Sequence, residues 1–168
     1  MGRFLSLPIL IIAAALQATV IPQIRLLGGG PDLIFLLVLA WSIDADLEEG
    51  VIWAFVGGIL QDLMSFAPLG TTSFGLLILV FAIGGLGRQV YQIGFILLIG
   101  LVLFGTLFHQ LVLMVILFLT GHNIAWLTDL AYVVAPTIFY NLLFILPIYW
   151  FVRRTQRRLA RRKTRPLP

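Results

Sequence analysis

Apolar residues fall into six runs separated by short breaks rich in glycine, proline or charge. The first, about 4–21, ends at Pro22, Arg25, the triplet Gly28, Gly29, Gly30 and Pro31. The second, 33–43, stops at the acidic cluster Asp44, Asp46, Glu48 and Glu49, and the third covers 50–66. After Pro68, Leu69 and Gly70 the fourth runs over 71–86. The long fifth, about 92–119, is broken by Gly121, His122 and Asn123. A sixth, about 128–152, passes directly into RRTQRRLARRKTR. Crossing a ~30 Å hydrocarbon layer takes about 20 helical residues, so these runs predict membrane helices, and only the second is short for the task. The fold expected is all-α and polytopic: about six transmembrane helices over 1–152, the second tilted or partly extended, and a basic cytoplasmic tail over 153–168.

Composition agrees. Of 168 residues 61% are hydrophobic and 11% charged, and the mean hydropathy is +1.08, which predicts an integral membrane protein. Having no cysteine, the chain can form no disulfide, thiolate metal site or cysteine nucleophile. Its net charge of +4 belongs to the tail, since eight of the eleven basic residues lie between Arg153 and Arg165. With six crossings, Arg3, Arg88 and the tail share one side and leave Arg25 alone on the other. The positive-inside rule makes that side cytoplasmic, with both termini inside; were the second run not to cross, Arg88 and the tail would still share a side and the N-terminus would lie outside. The first run also has the look of a signal peptide, but its length and the poor cleavage context Leu16-Gln17-Ala18 argue for retention.

Polar groups inside apolar runs need a partner or a water-filled cavity. In the third run Gly50, Ala54, Gly58, Asp62 and Ser65 recur at helical spacing, which forms a stripe that, with Gly57, admits close approach of another helix. Asp62 lies one turn below the Pro68-Leu69-Gly70 turn. Two readings stay open: the carboxylate fastens that hairpin through backbone N–H groups at the start of the fourth helix, or it faces a polar pocket or a partner helix. Gln17 and Asp32 fall at the same end. His109, Gln110 and Asn141 lie deeper and are expected to bond across helices. A proton relay through His109 is disfavoured, because no carboxylate is expected at its depth, and a metal shared with His122 is excluded by distance along the run.

No nucleophile–histidine–acid set, zinc-binding HExxH or phosphate-binding loop is present, and the acidic cluster reads as a solvated loop. Trp41, Trp53, Tyr91, Trp126, Tyr149 and Trp150 fall near run ends, as interfacial aromatics do. In the tail, Arg153, Arg154, Arg157, Arg158, Arg161 and Arg162 cover about half of a helix circumference. They anchor orientation and attract anionic lipid, or dock an acidic cytoplasmic protein; the tail lacks aromatic residues for stacking on nucleic-acid bases.

Pro31-Asp32-Leu33 opening the second run, GILQDL over 58–63 and Pro68-Leu69-Gly70 resemble the rod shape-determining protein MreD family. The motif support lies between Pro31 and Gly70, and the rest agrees in length and helix layout. The resemblance implies a non-enzymatic scaffold without cofactor or metal, in the bacterial inner membrane. Its implied partners are MreC, RodA with its class B penicillin-binding protein, and MreB indirectly, in support of peptidoglycan synthesis during cell elongation. Pro31, Asp32, Pro68, Leu69 and Gly70 would shape turns, and the Gly50–Ser65 stripe would meet a partner helix. The alternative is a substrate-binding S component of an energy-coupling-factor vitamin transporter, whose fold MreD-like proteins resemble. Ala14 and Ala18 would then form a docking element, and Gln17, Gln61, Asp62, His109 and Gln110 a pocket.

Overall fold

The computed structural model describes residues 2–25, 28–65, 68–86, 95–121, 128 and 130–163, with side chains over a narrower set. Among the described residues six helices form a bundle: α1 (Gly2–Thr19), α2 (Leu33–Asp44), α3 (Leu47–Leu63), α4 (Thr71–Leu86), α5 (Phe95–Leu119) and α6 (Ala135–Lys163). A 3-10 turn, Ile21–Gln23, follows α1, and a π-helical turn, Leu130–Val134, leads into α6. Two stretches, Phe95–Leu119 and Ala131–Arg158, are long and apolar enough to cross a membrane, while the apolar helices over 7–23, 33–44 and 71–85 are shorter. The end of the bundle bearing the Pro68–Gly70 turn is called here the turn end, and the opposite one the tail end.

The second run is short because α2 is the axis of the bundle. Its 12 residues span about 18 Å at 1.5 Å per residue, well under a ~30 Å core. A helix apolar on every side is stable only when surrounded. Accordingly all eight residues from Ile34 to Trp41 are buried, and α1, α3, α4, α5 and α6 all pack against α2. Its first turn lies level with Thr106 and His109 of α5, and His109 is ten residues, or about 15 Å, from the end of that helix. The connection from α1 therefore enters the bundle. Gly29 and Pro31 are buried, and a Cβ on Gly29 would overlap the Val133 carbonyl and lie 2.9 Å from Pro136 Cβ.

At the tail end Trp41 and Trp53 stack with centroids 4.1 Å apart and are fully buried, 1% and 0% exposed. This corrects the expectation that they mark an interface: proximity to a run end does not distinguish a core pair from an aromatic belt. Trp150 is exposed, as expected, whereas Tyr91 and Trp126 lie outside the described residues. Asp46 stands at the N-cap position of α3 without a side-chain capping bond, and Glu48 and Glu49 occupy its first turn, where negative charge suits the helix dipole. α6 continues without a break to Lys163, so the first part of the arginine tail extends that helix. The side chains of Arg161 and Arg162 lie outside the described set.

Candidate functional site

Two carboxylates organise the polar interior, Asp62 at the turn end and Asp32 at the buried start of α2. The first fastens a hairpin. Gly70 adopts a φ of +95°, a left-handed conformation that glycine takes without strain and other residues rarely do. Nothing lies within 4 Å of a Cβ placed there, so backbone conformation and not space requires the glycine. The resulting turn aims two N–H groups inward: Gly70 donates to Asp62 Oδ2 at 2.8 Å and Thr72 to Asp62 Oδ1 at 3.1 Å. Thr71 Oγ1 donates to the Pro68 carbonyl at 2.7 Å, closing the first turn of α4. Asp62 is 2% exposed, so its charge is met by N–H donors and by the positive end of α4. Of the two sequence readings, this geometry is that of the hairpin fastener.

The small-residue stripe lies under the same hairpin. Ser73 Oγ donates to the Phe55 carbonyl at 3.2 Å, and a Cβ on Gly58 would overlap the Ser73 backbone. At Gly50 it would come to 2.9 Å from Ser42 Oγ and 3.0 Å from Val80 Cγ1; at Gly57, to 3.0 Å from Ile34 and 3.3 Å from Leu10. Ala54 is 0% exposed. Gly50, Gly57 and Gly58 of the stripe thus lie against α4, α2 and α1 of this chain, and Ala54 and Asp62 are buried. Small residues predict close approach without saying whose helix approaches. Ser65 differs, being exposed just beyond α3, and Leu69 at the turn is 70% exposed.

Asp32, 7% exposed, caps the buried start of α2 and gathers four helices. It accepts from Phe35 N–H at 3.1 Å, from Gln17 Nε2 of α1 at 3.0 Å and from Gln61 Nε2 of α3 at 3.2 Å. Gln17 Oε1 in turn accepts from Leu33 N–H at 2.7 Å and Ile34 N–H at 3.3 Å, so the orphan donors of a helix that begins inside the bundle are satisfied by side chains. On the α6 side Asn141 Oδ1 accepts the Asp32 N–H at 2.9 Å, and Asn141 Nδ2 donates to Thr106 Oγ1 of α5 at 3.0 Å. His109 stacks on Phe35, with centroids 5.5 Å apart, and holds Nδ1 3.7 Å from Asp32 Oδ2.

This node corrects the expectation that His109 has no carboxylate at its depth. Linear counting placed Asp32 at the rim, whereas the inward dip of 28–32 brings it to the middle of α5. Asn141 does bond across helices, but to Thr106 and Asp32 and not to His109. The chemistry available is that of a fastening: hydrogen bonds through Asp32, Gln17, Gln61, Asn141 and Thr106 link α1, α2, α3, α5 and α6, while Gln61 Oε1 and His109 Nε2 are buried without a hydrogen-bond partner. Among the described residues no group of three or more histidine, aspartate or glutamate side chains is arranged to hold a metal ion.

A second charged feature lies at the tail end of α6. Arg153, Arg154, Arg157 and Arg158 share one face with Trp150, while Val152 and Gln156 on the other face pack inward; Gln156 Nε2 donates to the Trp41 carbonyl at 3.1 Å. On α1, Ala14 is buried and Ala18 exposed, so the two do not present a free docking element.

The family described as rod shape-determining protein MreD matches residues 1–158, nearly the whole chain. Comparisons with curated proteins and with solved structures return no match.

Proposed function

The chain belongs to the MreD family of membrane proteins that act in rod-shape determination, and on that premise we propose that it is a non-enzymatic, multi-pass scaffold of the cell-elongation machinery in the cytoplasmic membrane. The family match over residues 1–158 carries this reading. The interior geometry supports it, since the buried carboxylates are engaged by donors that hold helices together. Charge asymmetry supports an orientation with both termini cytoplasmic, ten of the eleven basic residues then lying on that side. In this reading the scaffold binds MreC and, with it, RodA and its class B penicillin-binding protein, with MreB engaged indirectly.

Gly50, Ala54, Gly57, Gly58 and Asp62 serve partner binding through the position they give α4, and the part open to direct contact is the turn. Asp62 holds the backbone of that turn, which displays Leu69 and Ser65 on the side where a periplasmic partner segment lies in this orientation. The test is affinity capture from cross-linked cells expressing tagged protein at native level, with mass spectrometry of the recovered proteins. Recovery of MreC and the elongation-specific peptidoglycan synthase is the expected outcome, reduced about tenfold by Leu69→Asp, a loss in keeping with one buried leucine of ~1.5 kcal/mol. Recovery without either protein would overturn the proposal. The energy-coupling-factor alternative gains no support from the comparisons or from Ala14 and Ala18.

A further inference from the structure

α6 runs past the point where a membrane helix ends. Its first twenty residues, Ala135 to Arg154, cover about 30 Å, the thickness of the hydrocarbon core. The next turn, to Arg157 and Arg158, adds about 6 Å, which matches the roughly 5–7 Å head-group layer on each side of that core. Two tiers of arginine, Arg153 with Arg154 and Arg157 with Arg158, therefore stand at the depth of lipid phosphates. With Trp150 they line an open hollow of about 440 Å³. The face is also pre-ordered. Arg154 Cζ lies 5.1 Å from the Trp150 ring centroid and Arg153 Cζ 5.8 Å from that of Tyr149, which steers both guanidinium groups by cation–π contact. Gln156, on the opposite face of the same turn, ties the extension to the end of α2.

We propose that this face of α6 is a binding site for the phosphate head group of an anionic phospholipid. Guanidinium forks match phosphate oxygens in pairs, and an exposed tryptophan belongs at the boundary between head groups and chains. Leu146, Trp150 and Phe151, all exposed directly below the arginines, offer the acyl chain an apolar path. An acidic protein segment would have to enter the bilayer boundary to reach Trp150, so the lipid is the better-matched occupant.

The test is native mass spectrometry of the purified full-length chain titrated with phosphatidylglycerol or phosphatidylcholine, repeated with inorganic phosphate and with an acidic peptide as competitors. The wild type is expected to retain phosphatidylglycerol at least tenfold better than phosphatidylcholine, with the preference falling as salt rises. Each Arg→Gln change among Arg153, Arg154, Arg157 and Arg158 is expected to weaken phosphatidylglycerol about fivefold, from ~1 kcal/mol per basic residue near an anionic surface. Arg25→Gln, remote from this face in the sequence, is expected to leave the preference intact. Equal retention of the two lipids by the wild type would overturn the proposal without recourse to any variant. So would strong binding of inorganic phosphate with no gain from the lipid, which assigns the face to a soluble phosphate ester, or displacement of the lipid by the peptide, which assigns it to a protein.

Discussion

Replacing Gly58 with alanine adds one methyl group where α3 and α4 come closest. That methyl would overlap Cα and N of Ser73 and lie 2.5 Å from Ser73 Oγ. The serine oxygen can rotate away, but the backbone atoms cannot. Restoring an ordinary separation of ~3.5 Å requires α4 to move outward by roughly 1 Å or more. A shift of that size also stretches the bonds from Gly70 and Thr72 to Asp62 and from Ser73 to Phe55, each now between 2.8 and 3.2 Å. Overpacking of this kind typically costs about 1–3 kcal/mol, and weakening one bond to a charged acceptor adds about 1.5 kcal/mol, so the expected loss is about 2.5–4.5 kcal/mol. Unfolding in detergent, followed by thermal aggregation or by titration with a denaturing detergent, measures it. The control is Gly100→Ala on α5, where nothing lies within 4 Å of the added Cβ; relief of helix entropy predicts no loss and a gain of up to ~1 kcal/mol. A Gly58→Ala protein as stable as the wild type would refute the packing argument. Normal stability with loss of MreC capture would restore the stripe to a partner-facing role.

Other variants probe the two carboxylates and the links between helices. Asp62→Asn keeps the shape but leaves one of two N–H donors facing an amide, and is expected to lower stability by about 2 kcal/mol, with increased proteolysis at the Pro68–Gly70 turn as the readout. Gln17→Ala removes the acceptor of Leu33 and Ile34 and a donor to Asp32, and is expected to destabilise by about 1–3 kcal/mol in the same unfolding assay. Gln23→Ala, whose side chain reaches only the Thr19 carbonyl at an exposed position, is expected to have almost no effect. A double-mutant cycle between Thr106→Ala and Asn141→Ala is expected to return a coupling near the ~0.6 kcal/mol average of membrane side-chain bonds, and zero coupling would remove that pair from the account.

How much of this was legible in the sequence depended on how local each feature is. The Asp62 fastening spans eleven residues, 62–72, and combines a carboxylate, a proline–leucine–glycine turn and a helix start, so its elements stand together in the text of the chain. The second helix announced itself through its length. That it is the buried axis, entered by an inward loop, was not legible: apolarity on every side fits lipid contact as well as protein contact, since a lipid tail is as apolar as leucine. For the same reason the small-residue stripe could not declare its neighbour, and Trp41 and Trp53 passed for interfacial residues. The Asp32 node was legible only in pieces, Gln17, Gln61 and His109 being grouped as the pocket of the transporter alternative, because its members, Gln17, Asp32, Gln61, Thr106, His109 and Asn141, come from five helices. Depth counted along each helix cannot register a loop that folds back between them.

The central claim, a scaffold required for rod shape, is tested most directly by depletion in the bacterium that encodes the protein, with cell length and width measured over successive divisions. The account predicts widening and rounding on depletion, restored by wild-type protein and by Gly100→Ala but not by Gly58→Ala. Depleted cells that keep normal width and length over many generations would contradict it.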